Sequence, residues 1–271
     1  MVTGRRKRAS KPPEPFHSSF DGRVGLYLGD CLDILPVLCT EDRPRVIFAD
    51  PPYFLSDGGI TCKAGRMVSV NKGKWDVPKG IRKTHEFNRA WLQACQQALH
   101  PDGTIWVSGT AHIIHSVGFA MQELGFKLLN DITWVKPNPP PNLSCRYFTH
   151  ATETVIWAAR NEKSKHTFNY DTMKRLNQGK QMKSVWTITA PGREEKRFGK
   201  HPTQKPLALL VRILQASANE GDLVADPFNG TGTTGLAAAR LGMRYIGIEL
   251  EKEFLEVSRK RLKDLEQNPS L

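Results

Sequence analysis

The sequence offers little from which to build a disulfide framework, a metal centre or a membrane span. Its five cysteines, Cys31, Cys39, Cys62, Cys95 and Cys145, include no CxxC pair and no histidine at ligand spacing. Cross-links and a zinc site are therefore not expected, no metal ligand is assigned, and the thiols read as free. No uninterrupted apolar run approaches the ~18 residues of a membrane helix. Arg5-Arg6-Lys7-Arg8 near the start is followed by no apolar stretch, so the expectation is a chain without a signal peptide that stays in the cytosol, away from membranes. Acidic side chains are also scarce, with 27 Asp and Glu against 39 Lys and Arg, a net charge of +12. Residues 1–20 hold +4 and residues 137–205 hold +8, the whole of the excess, while 54–83 add seven basic against two acidic side chains. Localised positive potential of this kind is the footprint of a polyanion binder, with solvated lysines kept for solubility as the plainer alternative for any one cluster. Lys72, Lys74, Lys180 and Lys183 are the candidate phosphate contacts in these clusters.

With 271 residues and 39% hydrophobic content, the chain is sized for one large domain. Residues 1–22 are basic, Pro-rich and aperiodic and read as a disordered arm, leaving 23–271 as the folded domain. Short apolar runs at 25–28, 45–49, 104–107, 132–135, 154–157, 223–225 and 245–248 read as strands. Amphipathic stretches at 31–38, 85–99, 112–124, 206–218, 232–241 and 252–267 read as helices. Their alternation argues a doubly wound α/β sheet, mostly parallel, with 132–135 and 154–157 as an antiparallel edge hairpin. Two segments lack pattern. The stretch 54–83, which contains Trp75, is far longer than a usual strand-to-helix connection and is expected to be a mobile DNA-contacting loop, a disordered insertion being the alternative. The region from about 137 to 200 is basic and polar and is assigned to substrate reading.

Asp50-Pro51-Pro52-Tyr53 follows the run 45–49 and so stands at the C-terminal mouth of a buried strand, where ligands bind in open α/β sheets. Two prolines hold the chain extended, displaying the Asp50 carboxylate, the Pro51 carbonyl and the Tyr53 ring together. Acceptors beside an aromatic plate suit a flat exocyclic amine, such as that of adenine or cytosine taken out of its helix. A Pro-Pro strand terminator with a capping Asp is the structural alternative. A second motif, Asp226-Pro-Phe-Asn-Gly-Thr-Gly-Thr-Thr-Gly235, lies between a strand and a helix. Gly230, Gly232 and Gly235 match the dinucleotide pattern GxGxxG, and Glu249 ends the next strand nineteen residues after Gly230, where a ribose-binding acid belongs. Alone this would support a nicotinamide enzyme. Against that reading stand the Pro-Phe inserted before the glycines and the separate Asp50 motif, for which hydride transfer has no use.

Taken together, DPPY at 50–53, DPFNGTGTTG at 226–235, HPTQKP at 201–206, the Gly29-Asp30 turn and NPPPNLSCRYFTHATETVIW at 138–157 resemble the S-adenosylmethionine-dependent amino-methyltransferases of DNA. The order, DPPY first and the glycine loop last, is similar to their β class, and the long stretch resembles adenine-N6 enzymes of bacterial restriction-modification systems, especially those acting on GATC. The resemblance covers about residues 24–262. It implies a Rossmann-like methyltransferase fold with circularly permuted motif order and S-adenosylmethionine (SAM) as cofactor. Phe228, Asn229, Gly230, Gly232 and Thr233 would wrap the methionine part of the cofactor, with Asp226 near its ammonium. Glu249 would accept the ribose hydroxyls, Asp30 with Cys31 would meet the adenine end, and Asp50 would border the same pocket. His201, Thr203 and Lys205 would close its other side, although from its residues alone a Pro-bounded helix start is the preferred reading of that motif.

The resemblance further implies chemistry at Asp50, Pro51, Pro52 and Tyr53. Asp50 and the Pro51 carbonyl would draw the poorly nucleophilic amine toward tetrahedral geometry and stabilise the charge that develops as methyl transfers. The absence of a Pro-Cys dipeptide agrees, because cytosine-C5 methylation uses that motif. Arg146 is the candidate for a base or phosphate contact near the site, a structural ion pair being its alternative. The implied partner is DNA, double-stranded or also single-stranded, with a cognate restriction enzyme in the same system that makes no direct contact and with room for a homodimer; the implied location is the bacterial cytoplasm at the nucleoid. Cytosine-N4 methylation and an inactive DNA-binding relative are the competing readings.

Overall fold

In the computed structural model, residues 12–54, 60–63, 66–69, 80–199 and 203–268 are described. The strands are β1 (His17–Ser19), β2 (Val24–Leu28), β3 (Val46–Ala49), β4 (Ile60–Lys63), β5 (Arg66–Ser69), β6 (Thr104–Gly109), β7 (Lys127–Val135), β8 (Thr152–Ala159), β9 (Val185–Thr187), β10 (Leu223–Asp226) and β11 (Arg244–Glu249). The helices are α1 (Cys31–Leu38), α2 (Ile81–Ala98), α3 (Ile114–Glu123), α4 (Tyr170–Leu176), α5 (Leu207–Ser217), α6 (Thr233–Arg240) and α7 (Lys252–Gln267). Nine strands form one sheet in the order β1-β2-β11-β10-β3-β6-β8-β7-β9, and β4 pairs with β5 separately.

The central strands are apolar on both faces because both faces are covered. Val46 and Phe48 of β3 and Trp106 of β6 face a core shared with α5, α6 and α7, through Leu209, Leu236 and Leu255. Ile47, Ala49, Ile105 and Val107 face the opposite core, built with α1, α2 and α3 through Leu35, Trp91 and Val117. This is the expected doubly wound α/β architecture. Its parallel part runs β2-β11-β10-β3-β6. Adjacent β3 and β10 send their following helices to opposite faces, α2 to one and α6 to the other. Their C-terminal ends therefore open the crevice in which such sheets bind ligands.

Three sequence expectations need correction. The β7–β8 pair is antiparallel as read, but it does not form the edge: β9 adds to β7 in parallel outside it, since Trp186 and Ile188 bury beside Trp134. Within the arm expected over 1–22, His17–Ser19 form β1, which pairs with β2, and Phe20 N–H donates to Glu266 on α7 (2.6 Å). Within the stretch 54–83, expected to be irregular, β4 and β5 form a hairpin and α2 begins at Ile81. Trp75, Lys72 and Lys74 lie outside the described residues.

Candidate active site

At the end of β3 the chain runs through Asp50, Pro51, Pro52 and Tyr53 into Phe54, which takes φ 54°. The Tyr53 ring is not displayed as the sequence suggested. It is only 5% exposed and packs in the core that holds α1 and α2, because its hydroxyl donates to Asp50 Oδ1 at 2.7 Å and pulls the ring inward. The other carboxylate oxygen, Oδ2, accepts from Lys205 Nζ at 2.5 Å. That ammonium also donates to the Tyr53 hydroxyl (3.1 Å) and the Thr203 carbonyl (3.3 Å), and it stands 5.4 Å from the Tyr53 ring centre. On the far side of Lys205 lies Glu153 of β8, whose Oε2 is 3.6 Å from the ammonium, 3.5 Å from the Tyr53 hydroxyl and 3.4 Å from Ser108 Oγ. Lys136 donates to Glu153 Oε1.

The network is charge-balanced, with Asp50 and Glu153 against Lys136 and Lys205, and all four side chains are largely buried. Balance is what permits burial, since an unpaired ion there would cost several kcal/mol. Burial pushes Asp50 above the ordinary carboxylate range against the pull of Lys205, with the Glu153 charge adding to the rise. Burial would also raise Glu153, but Lys205 and Lys136 outweigh it and hold that carboxyl low. For Lys205, burial lowers and the two carboxylates raise, and the carboxylates win. The ammonium is therefore firmly protonated.

Next to Asp50 is a cavity of about 240 Å³ whose walls include Asp30, Cys31, Asp50 to Phe54, Thr203 to Lys205, Phe228, Asn229, Gly230, Thr233 and Glu249. Nearly all the predicted cofactor residues thus converge on one space. Gly29 N–H donates to the Glu249 carbonyl (2.9 Å), which brings Asp30 and Cys31 beside that strand end. Asp30 itself caps α1, accepting from Leu32 N–H at 2.8 Å, and burial pushes the Cys31 thiol up to about 12, making it a neutral wall. Glu249 Oε2 accepts from Gly230 N–H (2.7 Å) and Oε1 from Glu251 N–H (3.0 Å). Burial nevertheless lifts its pKa above the ordinary value. Phe228 stands edge-on to Trp91 (5.3 Å between centres) and near Phe87, forming an aromatic wall.

Asp226 and Gly232 stand behind the cavity and are absent from its walls. Asp226 is buried, with Oδ2 accepting from Thr234 Oγ1 (2.6 Å) and Oδ1 from Phe228 N–H (3.0 Å); both oxygens thus hold the loop in shape. Gly232 precedes α6 as its N-cap with φ 75°, and a Cβ there would meet Ser258 Oγ at 2.8 Å. The Asn229 amide is likewise used in holding the loop, donating to Ser258 Oγ and the Gly230 carbonyl and accepting from the Tyr245 hydroxyl. Arg261 completes the clamp through the Thr231 carbonyl (2.6 Å) and Thr233 Oγ1 (3.0 Å).

A second cavity of about 270 Å³ lies across the network, walled by Thr110, Trp134, Lys136, Glu153, Pro191 and Lys196. Tyr53, Thr203, Gln204 and Lys205 border both spaces. Sequence reading missed this half of the site. Glu153 did carry a signal, because it shares a strand face with buried Val155 and Trp157, where an acid is out of place. Arg146, Lys180 and Lys183 are exposed, and among the described residues Arg146 makes no ion pair. His201 lies outside those residues.

A family profile described as DNA methylase, of the N6/N4 type, matches residues 45–260. The chain is 58% identical over 218 residues to Type II methyltransferase M2.DpnII of Streptococcus pneumoniae, covering 80% of this chain and 81% of that one. It is 49% identical over 252 residues to Type II methyltransferase M2.MboI of Moraxella bovis, covering 93% and 92%. Among solved structures, the complex of M1.HpyAVI with SAM is similar at a TM-score of 0.65 and 29% identity, covering 88% of this chain and 98% of that one. The cytosine-N4-specific PvuII DNA methyltransferase matches at a TM-score of 0.65 and 20% identity, covering 90% and 91%, a likeness of fold alone.

Proposed function

We propose that this chain, which belongs to the DNA methylase family, transfers the methyl group of SAM to N6 of an adenine flipped out of a short DNA site, with GATC as the leading sequence. The observation that carries the reading is the pair of cavities that share Tyr53 and Lys205 as walls, with Asp50 in the wall of the first and hydrogen-bonded to both of those shared side chains. The first cavity fits SAM: Glu249 keeps acceptor capacity for two ribose hydroxyls, Phe228 gives an apolar face, and Asp30 lies where an amine donor could be met. SAM supplies an electrophilic methyl group there. The second cavity takes the base. Asp50 accepts from the exocyclic amine, which costs the Lys205 ammonium part of its hold on Oδ2, and Glu153 is close enough to receive that ammonium. As positive charge develops on the amine, the buried carboxylate stabilises it without reorganisation of solvent.

Adenine is chosen over cytosine because Asp begins the 50–53 motif and because the stretch 138–157 resembles adenine enzymes. The partner restriction enzyme, acting without direct contact, the circular permutation and a cytoplasmic, nucleoid-associated location belong to the same reading, and a homodimer is compatible with it. Among the described residues no helix is long and apolar enough to cross a membrane. The test is to incubate the purified protein with labelled SAM and duplexes that differ only at the adenine of GATC, then digest the product to nucleosides. N6-methyladenine confined to the intact site is expected. Equal labelling after replacement of that adenine defeats GATC, and N4-methylcytosine in the digest defeats the choice of base.

A further inference from the structure

The connection between β7 and β8 leaves from the rim of the second cavity and returns to it. Lys136 N–H donates to the Ala151 carbonyl at 2.8 Å, closing the neck of the excursion, and the Lys136 side chain and Glu153, on either side of that neck, wall the cavity. The excursion is preformed. Three consecutive prolines, Pro139 to Pro141, stiffen its outgoing limb, and its tip folds on Asn142. The Asn142 side-chain amide donates to the Tyr147 carbonyl (2.6 Å), and its oxygen accepts from Ser144 N–H (3.0 Å) and Ser144 Oγ (2.8 Å). Cys145 turns through φ 52°. This geometry thrusts Arg146, Tyr147 and Phe148 outward. Phe148 is 96% exposed, more than any other large hydrophobic side chain in the described residues. Tyr147 leans on His150 at 5.4 Å, whereas among the described residues Phe148 lies against nothing that would explain an apolar ring in water.

We propose that Phe148 is the wedge that enters the DNA stack and occupies the gap left by the flipped base, with Arg146 anchoring the loop on adjacent phosphate. An aromatic ring compensates lost base stacking, and apolar wedges open base steps in this way elsewhere. The surroundings fit a polyanion: residues 137–151 carry Arg146 and no carboxylate, and Lys196 walls the cavity below. A rigid loop rooted at the base-accepting cavity delivers its ring beside the nucleotide that the cavity takes. This inference rests on the reading of that cavity given above.

The experiment compares wild type, Phe148→Ala and Phe148→Trp on two duplexes: one that the wild type methylates, and its counterpart carrying an abasic site opposite the target base, where pairing no longer holds that base in. Phe148→Ala should lose about tenfold or more in kcat/KM on the paired duplex and less than about threefold on the abasic one, with SAM affinity unchanged. Phe148→Trp should keep most activity on both. Equal losses on the two duplexes, or no loss on the paired one, overturn the wedge. So does a wild-type dimer in sedimentation that Phe148→Ala converts to monomer, since the ring would then be a contact between copies. A wild type inert on every DNA tested brings down the reading of the cavity itself, and the wedge falls with it.

Discussion

Asp50 cannot serve an incoming amine while both its oxygens are fully engaged, and in this structure they are bound by the Tyr53 hydroxyl and the Lys205 ammonium. Lys205 is what can give way, because Glu153 offers it a second carboxylate 3.6 Å off. Glu153 is on this account a positioning residue that acts through Lys205. Glu153→Gln keeps the size and a hydrogen-bonding carbonyl but removes the charge, so Lys205 should settle more firmly on Asp50. We expect kcat to fall by about tenfold or more, with SAM affinity within a few-fold of wild type. A second readout separates this from mere damage. The Asp50 pKa lies above the ordinary carboxylate value, through burial first and the Glu153 charge in part; turnover that needs the carboxylate is therefore lost as pH falls through a raised value. Removing the Glu153 charge should shift that acidic limb to lower pH. An unmoved limb with unchanged kcat would leave Glu153 as a packing residue.

Among the elements, the turn from β10 into α6 shows how a ligand loop is held from behind. Asp226 serves Thr234 and Phe228 N–H, and burial pushes its pKa from 3.8 to about 7. A folded-state pKa above the unfolded one means that the folded protein binds the proton more tightly. The associated stability is fully present below about pH 4 and is lost as pH rises through about 7. Asp226→Asn can keep both hydrogen bonds without titrating. Denaturation midpoints measured from pH 4 to 8 should show wild type losing stability relative to the variant across that window, by something on the order of a few kcal/mol; parallel curves would mean that Asp226 stays ionised. The sequence made the location of this turn legible, because a short apolar strand, the glycines and a helix follow one another, and α7 is found over the residues read for it, 252–267. Glu249 was legible for the same reason. The direction of the Asp226 carboxylate was not, since it depends on Thr234 closing back across eight residues. Nor was the Lys205 network, which joins residues 52, 152 and 155 positions apart. Strands β1 and β9 escaped notice because each is three residues long and is defined by its partner, with little of its own periodicity.

At the scale of the whole molecule, the basic side chains described between residues 137 and 199 include some around one end of the sheet and others along one edge. The second cavity has Lys196 in its wall and the Arg146 loop at its rim, both at the C-terminal ends of the central strands. Lys180 and Lys183 lie elsewhere. They precede β9, whose Val185 pairs with Thr133 part-way along β7, and Ser184 accepts from Thr133 N–H at 2.8 Å. That places them along the open edge of the sheet and away from the mouth. Contacts in such a position fix the duplex through phosphate and read no base. Each phosphate neutralised adds about 0.9 to the slope of log affinity against log salt concentration. Binding to a duplex, measured from about 50 to 200 mM salt, should therefore weaken steeply for the wild type. In Lys180→Gln combined with Lys183→Gln the slope should drop by between one and two, while the ratio of affinities for methylatable and unrelated duplexes stays within about twofold. A wild-type affinity indifferent to salt would mean that the basic excess serves solubility, and a collapse of the specificity ratio in the double variant would mean that the sheet edge reads sequence after all.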